Sequence, residues 1–182
     1  MIKKIFILFI IMFSFFNKTS ASYERLAHEF SFKSIEGDEI NLQNYKDNVI
    51  VVVNVASRCG FTNQYDALQT LWSKYKDKNL VIVGVPTNNF KQEPGSNKEI
   101  KDFCETNFNI TFPIMNKFDV KGDKAHPIYV WAKKNYGKSA VPKWNFHKIL
   151  INTEGKIHNT YSSFTNPMNK KILNDIEKIL KI

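Results

Sequence analysis

The strongest constraint on this 182-residue chain is the run Val49-Ile50-Val51-Val52-Val53-Asn54-Val55. Its side chains are β-branched apart from Asn54, and such residues favour extended backbone. The run does not alternate apolar with polar, so it offers neither face to water. It predicts a strand covered on both sides, and Leu80 to Val85 predicts a second buried strand. Between them Tyr65, Leu68, Leu71, Trp72 and Tyr75 recur at helical spacing. A strand, a helix and a strand in that order imply parallel pairing.

The remaining segments add to this unit. Phe30 to Ile35 alternates like an edge strand and ends in the turn residues Glu36-Gly37-Asp38. Ser96-Asn97-Lys98-Glu99 is a capping-box pattern, and the helix it opens puts Ile100, Phe103, Cys104 and Phe108 on one side. Phe112 to Phe118 predicts a short strand around Pro113, and Pro127 to Lys134 a helix. Lys148 to Asn152 and Lys156 to Tyr161 read as a hairpin turning at Glu154-Gly155. Met168, Ile172, Leu173, Ile176, Ile179 and Leu180 define a last amphipathic helix. The order predicts an α/β fold with a mixed central sheet flanked by helices. That is the outline of a thioredoxin-like fold, although spacing alone also fits other mixed sheets. With no repeat or linker, residues 22–182 read as one domain.

Residues 1–21 read as a secretory signal peptide: Lys3 and Lys4, then the apolar stretch Ile5 to Phe16 broken only by Ser14, then Thr19-Ser20-Ala21. The apolar stretch is too short to span a bilayer comfortably. The expectation is export, periplasmic or extracellular, without stable membrane insertion once the signal is cleaved; left uncleaved, the segment is a membrane anchor. The formal charge is +9. The lysines are scattered, without the aromatic interleaving or dense stripe of a nucleic-acid binder, and read as solvated surface.

The chain has two cysteines, Cys59 and Cys104. In an oxidising compartment such a pair is usually a structural bridge, and the alternative is a reactive pair. Cys59 lies in Ser57-Arg58-Cys59-Gly60-Phe61, between a buried strand and a helix predicted to start near Thr62. Backbone N–H groups at a helix start lack intrahelical partners and carry partial positive charge. They favour the thiolate, the nucleophilic form, and Arg58 would add to that field. Cys104, on the apolar side of its helix, reads by itself as a small core residue, with a bridge to Cys59 as the alternative. His28, His126, His147 and His158 lack ligand spacing, so no metal site is expected.

A resemblance bears on the choice. Asn54-Val55-Ala56-Ser57-Arg58-Cys59-Gly60-Phe61-Thr62 resembles the active-site segment of the glutathione peroxidase family. Gln92-Glu93-Pro94-Gly95-Ser96-Asn97 with Glu99-Ile100 resembles its second signature, and Trp144-Asn145-Phe146 its third. The three stand in family order, and the similarity runs from about Phe30 to the C-terminus. The resemblance implies a thioredoxin-like fold and a catalytic tetrad of Cys59, Gln92, Trp144 and Asn145, the last three supplying neutral donors directed at sulfur. Cys104 matches the resolving cysteine of the non-selenium, two-cysteine, thioredoxin-dependent branch.

The implied function is a thiol peroxidase that reduces hydrogen peroxide and organic hydroperoxides through a Cys59 sulfenic acid and a Cys59–Cys104 disulfide. The implied reductant is a thioredoxin-like protein or glutathione, as co-substrate, with no metal or organic cofactor. Many members carry Cys-Asn-Gln-Phe-Gly-x-Gln where this chain has Thr87-Asn88-Asn89-Phe90-Lys91-Gln92, one residue shorter. The short segment between Trp131 and Trp144 lacks the insertion with which members form tetramers, which implies a monomer. Two other readings of the cysteines stay open: a non-enzymatic redox sensor or thiol relay, and a protein with a purely structural disulfide.

Overall fold

In the computed structural model the run of β-branched residues forms β3 of a sheet whose two faces are both covered. The structure describes residues 23–182, so the signal-peptide reading of residues 1–21 lies outside it. In chain order the elements are β1 (Ser31–Lys33), β2 (Glu39–Asn41), β3 (Val49–Val55), α1 (Gln64–Tyr75), β4 (Leu80–Pro86), α2 (Asn97–Phe108), α3 (Pro127–Tyr136), β5 (Lys148–Ile151), β6 (Ile157–Tyr161) and α4 (Lys170–Leu180), with short 3-10 turns between them. The main sheet has the order β4-β3-β5-β6, with β3 parallel to β4 and antiparallel to β5, and β5 antiparallel to β6. This is the mixed, helix-flanked α/β sheet expected from the sequence.

The period-two geometry of strands divides the core into two layers. Val49, Val51, Val53, Leu80, Ile82 and Leu150 face one side, against α1, α2 and α4 through Leu68, Ile100 and Ile176. Ile50, Val52, Val81, Val83, Ile149 and Ile151 face the other, against Ile128 and Trp131 of α3 and Phe32 of β1. Each such side chain contributes about 1.5–3 kcal/mol through burial, so the sheet is held from both sides rather than by its hydrogen bonds alone.

Three local readings differ from the structure. First, Glu39–Asn41 pairs with β1 as a separate two-stranded sheet; with one apolar residue it gave no strand signal. Second, Phe112 to Phe118 is not a strand. Pro113 has no N–H to give a ladder, and the segment makes only isolated bridges, Gly84 with Ile114 and Ser34 with Met115. It nevertheless ties the two sheets together, since Met115 N–H donates to Gly84 O (2.8 Å) and Asn116 N–H to Lys33 O (2.8 Å). The crossing is close: a Cβ on Gly84 would stand 2.7 Å from Ile114 Cδ1. Third, α1 begins at Gln64 rather than near Thr62, because the preceding residues form tight i→i+3 turns.

Candidate active site

The turn between β3 and α1 is fastened by one side chain. Thr62 Oγ1 accepts the Cys59 N–H (3.0 Å) and lies 2.7 Å from the Cys59 carbonyl and 3.1 Å from that of Ala56. The Thr62 N–H returns to the Cys59 carbonyl (3.0 Å). So held, the Cys59 Sγ accepts the backbone N–H of Phe61 at 3.4 Å. That donor lies in the turn leading into α1, where N–H groups are short of helical partners. Both cysteines are buried, Cys59 less completely, at 9% exposed against 1% for Cys104. Both are free thiols in the same core layer.

The loop after β4 lies against this turn. Arg58 N–H donates to the Gln92 carbonyl (3.0 Å), and both the N–H and the hydroxyl of Ser57 donate to Glu93 Oε2 (2.7 and 2.9 Å). The loop turns at Lys91, whose φ of 58° is in the left-handed region that favours glycine.

The third segment arrives through Asn54, a fully buried polar residue inside β3. Its side-chain amide donates to the Trp144 carbonyl (3.1 Å), and its side-chain oxygen accepts the His147 N–H (3.2 Å). Its backbone carbonyl accepts the Phe146 N–H (2.6 Å). Residues 144–147 are therefore pinned at the strand that leads to Cys59. Asn145, fully buried, donates its side-chain amide to Gln92 Oε1 (2.9 Å). Trp144, 40% exposed, packs its ring on Phe90 at 5.4 Å between centroids.

Gln92 and Asn145 are thus joined directly, and Gln92 adjoins the Cys59 turn through Arg58. Among the described residues the hydrogen bond to the Cys59 sulfur comes from Phe61, not from the side chains of Gln92, Trp144 or Asn145. Cys104 sits on the buried face of α2, whose start is fixed by the reciprocal Ser96–Glu99 capping box. Burial pushes its thiol up to about 11, with a smaller opposing effect from the neighbouring Tyr65 hydroxyl. That hydroxyl is itself buried and lacks a partner in hydrogen-bonding geometry. Burial also raises the Glu93 carboxyl above its ordinary value, against the lowering effect of the Ser57 hydrogen bonds.

Two residues escaped the sequence reading. Asn54 opened a quoted motif without a role, and its own signal was that it is the one polar residue of an apolar strand. Glu93 lay within a quoted motif with no role; nothing local indicates a buried carboxylate. Among the described residues no three His, Cys, Asp or Glu side chains form a group able to hold a metal, and no helix is long and apolar enough to cross a membrane.

Comparison with known proteins gives these positions a context. A family model described as glutathione peroxidase matches residues 27–133. The glutathione peroxidase homolog BsaA of Halalkalibacterium halodurans is 44% identical over 156 residues, covering 84% of this chain and 98% of that protein. The glutathione peroxidase-like peroxiredoxin gpx1 of Schizosaccharomyces pombe is 42% identical over 157 residues, covering 84% and 98%. The crystal structure of Trgpx in apo form superposes with a TM-score of 0.68 at 34% identity, covering 86% of this chain and 97% of that one. The architecture in common is the thioredoxin-like α/β fold.

Proposed function

The chain belongs to the glutathione peroxidase family, a thiol peroxidase acting on hydroperoxides, and on that premise we propose that Cys59 is its peroxide-reactive thiol and Cys104 its resolving thiol. The observation that carries this reading is the Phe61 N–H on the Cys59 sulfur at 3.4 Å, in a turn where the flanking Arg58 and Gly60 are exposed. A donor fixed on sulfur is in place to stabilise the negative charge the sulfur carries when it attacks.

The Cys59 thiolate attacks one peroxide oxygen and the O–O bond breaks. Sulfur is oxidised to a sulfenic acid, and the departing oxygen takes a proton and leaves as water or an alcohol. Gln92, Asn145 and Trp144 supply neutral donors to the developing charge. Cys104 then attacks the sulfenic sulfur; an S–S bond forms, the S–O bond breaks and water leaves. A dithiol reduces the disulfide by exchange and is itself oxidised. The reaction uses no metal or organic cofactor.

The reductant in this reading is an exported thioredoxin-like protein, with glutathione as the other donor. A second thiol in the same core layer supports a dithiol donor, and the signal-like residues 1–21 support export. Substrates are hydrogen peroxide and organic hydroperoxides, and the protein acts as a monomer. Stopped-flow mixing with hydrogen peroxide tests the central claim: a fast phase of thiol loss is expected, absent in Cys59→Ser. If Cys59 reacts no faster than a free thiol, the claim fails. Turnover with thioredoxin and with glutathione, in wild type and Cys104→Ser, identifies the donor.

A further inference from the structure

Glu93 has no part in the cycle just described, yet it occupies the crossing of the two loops that form the site. It is 1% exposed. Its Oε2 is engaged by Ser57, at 2.7 Å from the N–H and 2.9 Å from the hydroxyl. The next residue along each loop adds a parallel bond, Arg58 N–H to Gln92 O at 3.0 Å. The two residues before Cys59 are therefore fastened to Gln92 and its neighbour. Glu93 is itself braced, since its N–H donates to Asn88 Oδ1 at 3.1 Å.

Two alternative roles fit the physics poorly. A buried carboxylate is a poor device for stability alone, because it forfeits hydration that an apolar residue of similar size would not need. Among the described residues no salt bridge offsets this: the nearby Lys117 ammonium donates to the backbone carbonyls of Gly95 (2.7 Å) and Glu93 (3.5 Å), not to the carboxylate. Nor does it serve to ionise Cys59, because a negative charge near a thiol disfavours the thiolate. What remains is geometry.

We propose that Glu93 is a positioning residue whose carboxylate clamps the Cys59 turn to the Gln92 loop and so sets where the Gln92 amide stands relative to the reactive sulfur. The inference rests on Cys59 being the peroxide-reactive thiol, and it adds a residue that acts through Gln92 rather than on substrate. A displacement of about 1 Å at a reacting centre costs on the order of 100-fold in rate.

The test is the second-order rate of Cys59 oxidation by hydrogen peroxide in wild type, Glu93→Ala, Glu93→Gln, Gln92→Ala and the double variant Glu93→Ala/Gln92→Ala, with a thermal melt of each. Glu93→Ala is expected to slow oxidation by about 10- to 100-fold. Glu93→Gln keeps an oxygen for both Ser57 donors and is expected to restore most of the rate. Because the clamp works through Gln92, the double variant should be no slower than the slower single variant. An unslowed Glu93→Ala, no rescue by Gln, or two effects that multiply would overturn the inference. If Glu93→Ala does not fold, Ser57→Ala removes one of the two bonds; it should slow wild type and leave the Gln92→Ala background unchanged, and any other result overturns the clamp. A wild type without a fast phase sinks the peroxidase assignment and the clamp together, whereas a fast wild type with a fast Glu93→Ala sinks the clamp alone.

Discussion

Asn145 donates its side-chain amide to Gln92 Oε1 at 2.9 Å, joining the segment before β5 to the loop after β4. Asn145 has no exposed surface, and its own Oδ1 has no donor. An unpaired buried oxygen costs about 1–3 kcal/mol, so the residue is not there for stability alone. Asn145→Ala frees the Gln92 side chain and removes a neutral donor from the site. Stopped-flow should show peroxide-dependent oxidation of Cys59 slowed by about 100-fold, the scale of losing one preorganised donor. A rate within threefold of wild type would remove Asn145 from the machinery.

Cys104 predicts a pH signature for the second half of the cycle. Burial pushes its thiol up to about 11, so at neutral pH it is protonated, and its thiolate fraction grows as pH rises. After a single pulse of peroxide, the rate of Cys59–Cys104 disulfide formation should climb roughly tenfold per pH unit from about 7 to 10. Acid quenching followed by mass analysis measures it. In the same folded protein, iodoacetamide should label Cys59 well before Cys104, which is 1% exposed. A rate that levels off at about pH 8 to 9 instead would mean that α2 opens and solvates Cys104 before the attack.

Lys148 gives a stability signature. It is 1% exposed, and its ammonium donates to Gln64 Oε1 and to the Thr165 carbonyl (2.6 Å), with no carboxylate in contact. Burial pushes it down to about 7 from an ordinary 10.5. Between those values the unfolded chain holds a proton that the folded chain lacks, so this group makes stability rise with pH across that window. Below pH 7 its burial cost is carried in full. Lys148→Met keeps the bulk and removes the titration. Urea midpoints taken from pH 6 to 10 should favour the Met variant most at the acid end, with the difference moving toward wild type as pH rises. A constant difference would show that Lys148 titrates near its ordinary value in the fold.

What the sequence disclosed follows from how far each signal reaches. β3, β4, the late hairpin and the start of α2 are written in unbroken apolar runs, turn residues and a capping box, all local, and all stand where expected. Phe112 to Phe118 looked extended but carries Pro113, and its hydrogen bonds run to two different sheets, which local pattern does not reveal. The position of Cys59 between strand and helix was legible from its neighbours. Gln92, Trp144 and Asn145 were legible only through resemblance; by their own context they are a loop residue, a rim aromatic and its neighbour. Asn54 and Glu93 owe their importance to partners 90 and 36 residues away, Trp144 and Ser57. Such contacts leave no periodic trace. Lys91 is the reverse case: the shortened segment was visible, but that its lysine would take a φ of 58° was not.

The turn that holds Cys59 offers a last test, because one hydroxyl fastens it. Thr62 Oγ1 accepts the Cys59 N–H at 3.0 Å, and its proton is shared between the carbonyls of Cys59 (2.7 Å) and Ala56 (3.1 Å). Thr62→Val preserves shape and β-branching but leaves that N–H without its acceptor and both carbonyls without that donor. The unmade bonds should lower stability by about 1–3 kcal/mol in a urea titration. Loosening the turn also lets the Phe61 N–H drift from the sulfur, since both groups hang on the same few residues, so the thiolate loses its fixed donor. The rate of Cys59 oxidation by hydrogen peroxide should therefore fall in Thr62→Val and return in Thr62→Ser, which restores the hydroxyl. A stability loss without a change in that rate would confine Thr62 to holding the chain together and leave Phe61 fixed by the rest of the turn.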